Sequence, residues 1–263
     1  MIQAKVVADS VSVRGDRLTS LLLTYPRFVH AELLTHRTFS RNTASNRAIP
    51  ARRVRAMVRD NPVHIEFWGA NQKGMSADEE VQDVAACETW WEQCRQQALE
   101  MHLKGEELGI HKQILNRILE PYQHITALVT ATDWENFFSQ RISPKAQPEI
   151  RVLATTMNGA LKGSTPQVLQ DDEWHLPFVT EKETSSLSLE DLRRLSVARC
   201  ARLSYLNHDG TFSPDDDKRL YEMLLTEKHP SPFEHVARPA EGRHGNFNGW
   251  EQLRQSVEDL WQK

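Results

Sequence analysis

The chain has 263 residues, a formal charge of −4 and an isoelectric point near 6.3. That length buries a substantial core, and the slightly acidic balance provides no general basic field, so neutralising the phosphates of a nucleic acid polymer is excluded as the main activity. No run approaches the ~20 apolar residues that span a bilayer, and MIQAKVVADSV at the N-terminus has no apolar leader. The expected location is cytoplasmic, and the expected organisation is one domain over residues 1–263. Cys87, Cys94 and Cys200 form no CxxC pair, and an odd count suits a reducing compartment. Cys87 and Cys94 lie seven apart on one helical face and read as buried thiols, not metal ligands.

Residues 2–13 alternate loosely and precede Gly15-Asp16, which predicts a strand and turn, with Leu18 to Thr24 as the returning strand. From Pro26 the period becomes helical, with Val29, Leu33 and His36 on one face, so this helix should deliver His36 and Arg37 at its end. The run that follows, LLTHRTFSRNTASNR, holds His36, Arg37, Ser40, Arg41, Asn42, Ser45 and Arg47. Guanidinium forks, hydroxyls and an amide in one short stretch are the groups that grip phosphate and the polar edge of a base. Pro50 to Pro62 brackets a helix with Val54, Met57 and Val58 inward, and Arg52, Arg53, Arg55 and Arg59 read better as a solvated basic face than as a phosphate channel.

Asp78 to Lys104 has the longest helical pattern, closed by Gly105, with Trp90-Trp91 expected in the core or at a subunit contact. Lys112 to Leu119 continues as helix up to Pro121, and Ile125 to Thr130 is β-branched. Asp133 caps WENFFSQR, placing Asn136 and Arg141 at the two ends of a short helix. Glu149 to Leu161 is helical, 163–187 reads as loop, and Ser188 with Asp191 caps Leu189 to Ala201. Ser213-Pro214 opens the last expected helix, which stops at His229-Pro230, and NFNGW near the C-terminus reads as a turn that docks. His229 and His235 lack a third partner, so a hydrogen-bonded role is expected of them instead of a metal site. The sum is an α/β (α+β) fold, a small and mostly antiparallel sheet flanked by many helices.

Three stretches together resemble the flavin-dependent thymidylate synthases. PRFVHAELLTHRTFSRNTASNR is similar to that family's Arg-His-Arg triplet with its spaced Ser, Asn, Ser and Arg, except that Thr35 stands for the first Arg. RILEPYQHIT with NFFSQRISPKAQPEIR resembles the Arg-then-Leu-Pro, Asn-Phe-Leu and Ala-Gln-x-Glu-Ile segments. ARLSYLNHDG with KHPSPFEH resembles the Ala-Arg-x-Ser and His-x-Ser-Pro-Phe-Glu-His elements. That last element comes first in the family and near the C-terminus here, which reads as a circular permutation.

The resemblance implies a thymidylate synthase-complementing-protein-like fold and a homotetramer with active sites where subunits meet. It implies reductive methylation of dUMP to dTMP with methylenetetrahydrofolate, FAD and NADPH. Ser45, Arg47, Arg117 and Arg141 fall on dUMP-binding positions, with Arg141 as the catalytic arginine that stabilises ionised uracil N3. His36, Arg37, Asn136 and Ser231 fall on FAD-binding positions, and His229 at the folate and nicotinamide end. The chemistry suits those residue types: guanidinium gives bidentate donors and a permanent charge, and a flavin removes the need for a protein nucleophile. Glu32 stands where the family has Gln, Thr43 where it has Glu, and Ser143-Pro144-Lys145 where it has Asp. Two other readings stay open: a flavin and folate enzyme placing another one-carbon group on dUMP or dCMP, and a nucleotide-binding homologue without catalysis.

Overall fold

The computed structural model describes residues 1–204 and 214–262. The end of the ARLSYLNHDG stretch and the expected Ser213 cap lie outside the described residues. The strands are β1 (Gln3–Ser12), β2 (Arg17–Pro26), β3 (Ser40–Thr43), β4 (His124–Ala131), β5 (Gln167–Leu169), β6 (Ala237–His244) and β7 (Phe247–Gln252). The helices are α1 (His30–Leu34), α2 (Ala51–Asp60), α3 (Val84–Glu107), α4 (Lys112–Leu115), α5 (Glu135–Arg141), α6 (Pro148–Lys162), α7 (Glu181–Thr184), α8 (Leu189–Ala201), α9 (Pro214–Thr226) and α10 (Leu253–Trp261).

Five strands form one sheet in the order β3-β4-β2-β1-β5, antiparallel except for the β1–β5 pairing, and β6 and β7 form a separate hairpin. Leu21-Leu22-Leu23 of β2 pairs with Val129-Leu128-Ala127 of β4. Successive strand residues face opposite sides. Leu21, Leu23, Ile125 and Val129 therefore pack with Leu153 and Met157 of α6, whereas Leu22 and Leu128 pack with Val54, Val58 and Leu119. Both faces are covered, which is why these strands read as continuous apolar runs.

A buried polar chain crosses the sheet. Ser10 Oγ meets His175 Nδ1 at 2.9 Å, His175 Nε2 meets Ser20 Oγ at 2.8 Å, Ser20 Oγ meets Thr130 Oγ1 at 2.6 Å, and Thr130 Oγ1 meets His235 Nδ1 at 2.7 Å. His175 also donates its backbone N–H to Ala237 O at 2.8 Å. The chain thus fastens β6 and the 3-10 turn Ser231–His235 to the main sheet, and that turn packs on β3. The C-terminal Ser-Pro-Phe-Glu-His element returns in this way to the strand that follows His36.

Several sequence expectations change. Strand β2 runs through Pro26, and the helix expected there is only a 3-10 turn, Arg27–Val29, followed by the five-residue α1 that stops short of His36. Ser40–Thr43 is an edge strand, because its backbone pairs with Thr130 to Ala127. The loop at 163–187 contains β5 and α7. NFNGW is most of a strand: Gly249 has φ +76° and a Cβ there would lie 2.3 Å from Asp16, while Trp250 Nε1 donates to Asp16 O at 3.2 Å. Cys87 and Cys94 are half-buried and only Cys200 is fully buried. Trp90 is 56 % exposed, and Trp91 instead packs on Tyr122 and donates to Val63 O.

Candidate functional site

Val29, Leu33 and Phe39 are buried and anchor the short segment between β2 and β3. The same packing sinks His36 to 6 % exposure, with its ring edge-on to Phe137 of α5 at 4.8 Å between centroids. Phe137 fixes α5, and α5 presents Arg141 at its last turn. Arg141 Nε donates to His36 Nε2 at 3.0 Å, Nη1 to Glu32 Oε2 at 3.0 Å, and Nη2 to Thr35 Oγ1 at 3.1 Å and Glu32 O at 3.4 Å. Burial, then the charges of Arg141 and Arg41, lower the pKa of His36. Its Nε2 accepts a hydrogen bond, so a neutral His36 carries its proton on Nδ1.

A second cluster gathers on Glu120. One carboxylate oxygen, Oε1, takes Arg27 Nε at 2.9 Å, Arg117 Nη1 at 2.8 Å and Asn46 Nδ2 at 2.9 Å. Asn46 also donates to Gln123, while Asn116 donates to Asn46 O and Ile49 O and Lys112 Nζ donates to Ala48 O. These clamps hold the loop between β3 and α2. On that loop Ser45 and Arg47 are exposed, with Arg47 N–H donating to Ser45 Oγ at 3.3 Å. Arg117 is half exposed and Arg27 is 15 % exposed, so the cluster mixes buried and accessible cations.

Arg41 lies between the two clusters. Its Nη1 donates to Leu34 O at 2.8 Å and His36 O at 3.2 Å, and burial lowers its pKa, while the charge of Glu234 in the Ser231–His235 turn opposes that. Burial, then Arg27 and Arg41, push His30 down to about 4, so it is a neutral spacer hydrogen-bonded to Tyr25. Beyond Arg141, residues 144–148 and Arg151 line a half-open cavity of ≈ 420 Å³ whose other wall includes Phe67 and Asp78.

Of the residues singled out from sequence, His36 and Arg141 meet directly, and Arg117 meets the Ser45-Arg47 loop through Glu120 and Asn46. Arg37 is exposed and its charge acts on Arg41. Asn136 is exposed and, among the described residues, accepts from Gln140 of its own helix at 3.0 Å. Ser231 opens the 3-10 turn on β3. His229 is exposed and pairs with Glu227 at 3.0 Å, away from both clusters' hydrogen bonds. The sequence reading missed Arg27, Asn46 and Glu120. Glu120 stands three residues after Arg117, the spacing at which helical charges pair, and that signal was available. Of the α2 arginines, Arg55 pairs with Glu106 and Arg59 with Asp60. Among the described residues no cluster of His, Cys, Asp or Glu is arranged for a metal ion.

Arg37 and Arg41 are two cations close enough for the charge of one to depress the pKa of the other, a donor pair of the kind a pyrophosphate would require. Thr35 adds no charge, and its hydroxyl donates to Glu32 O at 2.7 Å.

The mixed sheet and its flanking helices define an α/β protein that carries two arginine clusters. The model of the thymidylate synthase complementing protein family matches residues 18–167, more than half of the chain, and the chain belongs to that family. The match spans both clusters and ends before Ser231. Solved structures of a UMP/dUMP methylase, PolB from Streptomyces cacaoi, are similar at 16 % identity. The form bound with 5-Br UMP has a TM-score of 0.45 over 61 % of this chain and 88 % of that one. The form bound with 5-Br dUMP has 0.48 over 61 % and 90 %. No curated protein matches.

Proposed function

We propose that the chain is a single-domain, flavin-dependent thymidylate synthase-like methyltransferase, converting dUMP to dTMP with methylenetetrahydrofolate as carbon donor and NADPH as reductant. The observation that carries this reading is the pair of clusters within the family match, one net positive and half exposed, the other holding a single arginine against a histidine. Ser45, Arg47 and Arg117 bind the nucleotide phosphate, with Arg27 added to that set. Guanidinium forks supply parallel donors to its oxygens. Arg141 faces the pyrimidine ring, where a fixed charge stabilises the developing negative charge.

FAD would be held by Arg37 with Arg41, and by His36, Asn136 and Ser231, with His229 toward the folate and nicotinamide. When bound, the flavin supplies the hydride. The exposed apolar side chains Trp90, Met101, Leu108 and Ile114 along α3 and α4 support self-association as a homotetramer. The second reading, another one-carbon group placed on the same nucleotide, is favoured by one observation: Glu32 and Thr35, both departures from the family pattern, are the two residues that bind Arg141 beside His36.

The test is the visible spectrum and the product mass. Oxidised flavin absorbance near ~450 nm is expected in the purified protein, and a chain that stays colourless after incubation with FAD defeats the reading. Mass spectrometry after incubation with dUMP, methylenetetrahydrofolate and NADPH should find a methyl added; another added mass selects the second reading.

A further inference from the structure

His102, in the second half of α3, is fully buried, and both of its ring nitrogens have partners. Arg55 Nη1 of α2 donates to Nδ1 at 3.1 Å, and Asn116 Oδ1, at the start of the 3-10 turn Asn116–Tyr122, lies 3.2 Å from Nε2. A guanidinium has donors only, so Nδ1 must be the bare, accepting nitrogen. Burial lowers the pKa of His102, as does the charge of Arg55, against the Asn116 contact and the charge of Glu106. The ring is neutral and carries its one proton on Nε2. That proton decides which way the Asn116 amide faces. A donor on Nε2 demands the carbonyl Oδ1, which turns Nδ2 the other way, and its two hydrogens reach Asn46 O at 2.8 Å and Ile49 O at 3.1 Å. Asn116 is itself fully buried, so a reversed amide would set N–H against N–H at the histidine and oxygen against two carbonyl oxygens at the loop. Gly105, one turn beyond His102, permits the close approach: a Cβ there would lie 2.6 Å from Leu115 Cδ1.

We infer that His102 is a positioning residue of the nucleotide site, fixing through the Asn116 amide the loop that carries Ser45 and Arg47. The inference rests on the proposed nucleotide reading and adds to it residues that touch no ligand. The amide takes the loop by the carbonyls of Asn46 and Ile49, both buried, and Ser45 and Arg47, on either side of Asn46, are left facing outward. Arg55 enters this chain as the permanent cation that keeps the proton off Nδ1, not as a phosphate ligand. Its Nη1 also donates to Glu106 Oε2 at 2.6 Å, which fixes the guanidinium in place. The outward set of the phosphate-binding hydroxyl and guanidinium therefore depends on which nitrogen of a buried imidazole carries a proton.

The experiment is calorimetric titration of the full chain with dUMP and with deoxyuridine, which lacks the phosphate, for the unmodified protein, His102→Gln and His102→Asn. Both substitutions remove the ring. Gln places an amide N–H at the ε position and still donates to Asn116, whereas Asn ends at the δ position, one bond short of it. The preference for dUMP over deoxyuridine should fall about threefold to tenfold in His102→Asn, on the scale of one hydrogen bond, with deoxyuridine affinity unchanged. His102→Gln should keep most of the preference. Nitrogen-15 NMR of the unmodified protein should report a neutral His102 with its proton on Nε2. An unaltered preference in His102→Asn overturns the inference and leaves the nucleotide reading standing, as does an equal loss in the two variants or a proton on Nδ1. Failure of the unmodified protein to bind dUMP overturns both. The tautomer measurement does not depend on either variant folding.

Discussion

The Glu120 and Arg141 clusters are built from the same materials, guanidinium, carboxylate and a neutral polar group, and reach opposite electrical results. At Glu120 one carboxylate oxygen is shared by Arg27, Arg117 and Asn46, with Arg47 exposed alongside, so positive charge exceeds negative and faces solvent. At Arg141 one cation is surrounded by acceptors from Glu32, Thr35 and His36, so its charge is largely offset. The first arrangement leaves net positive charge at the surface, and the second pairs its one cation with a carboxylate. Counting arginines in the sequence does not distinguish them; the ratio of carboxylates to guanidinium groups in contact does.

Arg141→Ala tests the contrast most severely. It should lower kcat by about 10²–10³, the effect of removing one preorganised donor from a transition state, while flavin absorbance persists. Normal turnover would remove Arg141 from the chemistry.

Glu120→Ala should act at the other end. Arg27, 15 % exposed, loses its carboxylate, and Asn46 no longer holds the Ser45-Arg47 loop. We expect KM for dUMP to rise about tenfold with kcat nearly unchanged, the pattern of lost uniform binding. The unfolding free energy should fall by ~1–3 kcal/mol for the groups left unpaired. A stability loss with unchanged KM would make the cluster a brace and nothing more.

Arg47→Lys keeps the charge and removes the fork. It should weaken nucleotide binding about threefold to tenfold, on the scale of one hydrogen bond, and titration at two salt concentrations should show the weakening in both. Unchanged affinity would take Arg47 out of the phosphate set.

The smallest effect at neutral pH concerns what lies beneath both clusters. Burial depresses His175 and His235 to about 3 and His30 to about 4, from 6.5 for an exposed imidazole. The unfolded chain then binds more protons across that interval, so this stability is complete above pH 6.5 and is lost as pH falls through the folded values. Scanning calorimetry should show Tm falling steadily from pH 6.5 toward 4. In His235→Gln the slope should be shallower, and an unaltered slope would mean that His235 does not titrate with unfolding.

Much of this was legible in the sequence for local reasons. The apolar runs of β2 and β4, the period of α2, α3 and α6, and the Ser188 cap on α8 each depend on neighbours within a few residues. The Arg-rich stretch announced a polar site because its residue types have few other uses in such density. What failed had non-local causes. β3 is a strand because β4 lies beside it, and β7 because Gly249 lets the hairpin close on Asp16. Trp90 points outward because its neighbour Trp91 takes the inward face.

The sequence by itself determined the elements with strong periodicity, the supply of guanidinium groups, and the residue types that define the family, since all of these are written in short windows. Only the tertiary structure decided which charges meet. Arg27 and Glu120 stand 93 positions apart and Glu32 and Arg141 stand 109 apart, so chain closure through the sheet, not spacing along the sequence, determines that one cluster stays cationic and the other becomes a matched pair.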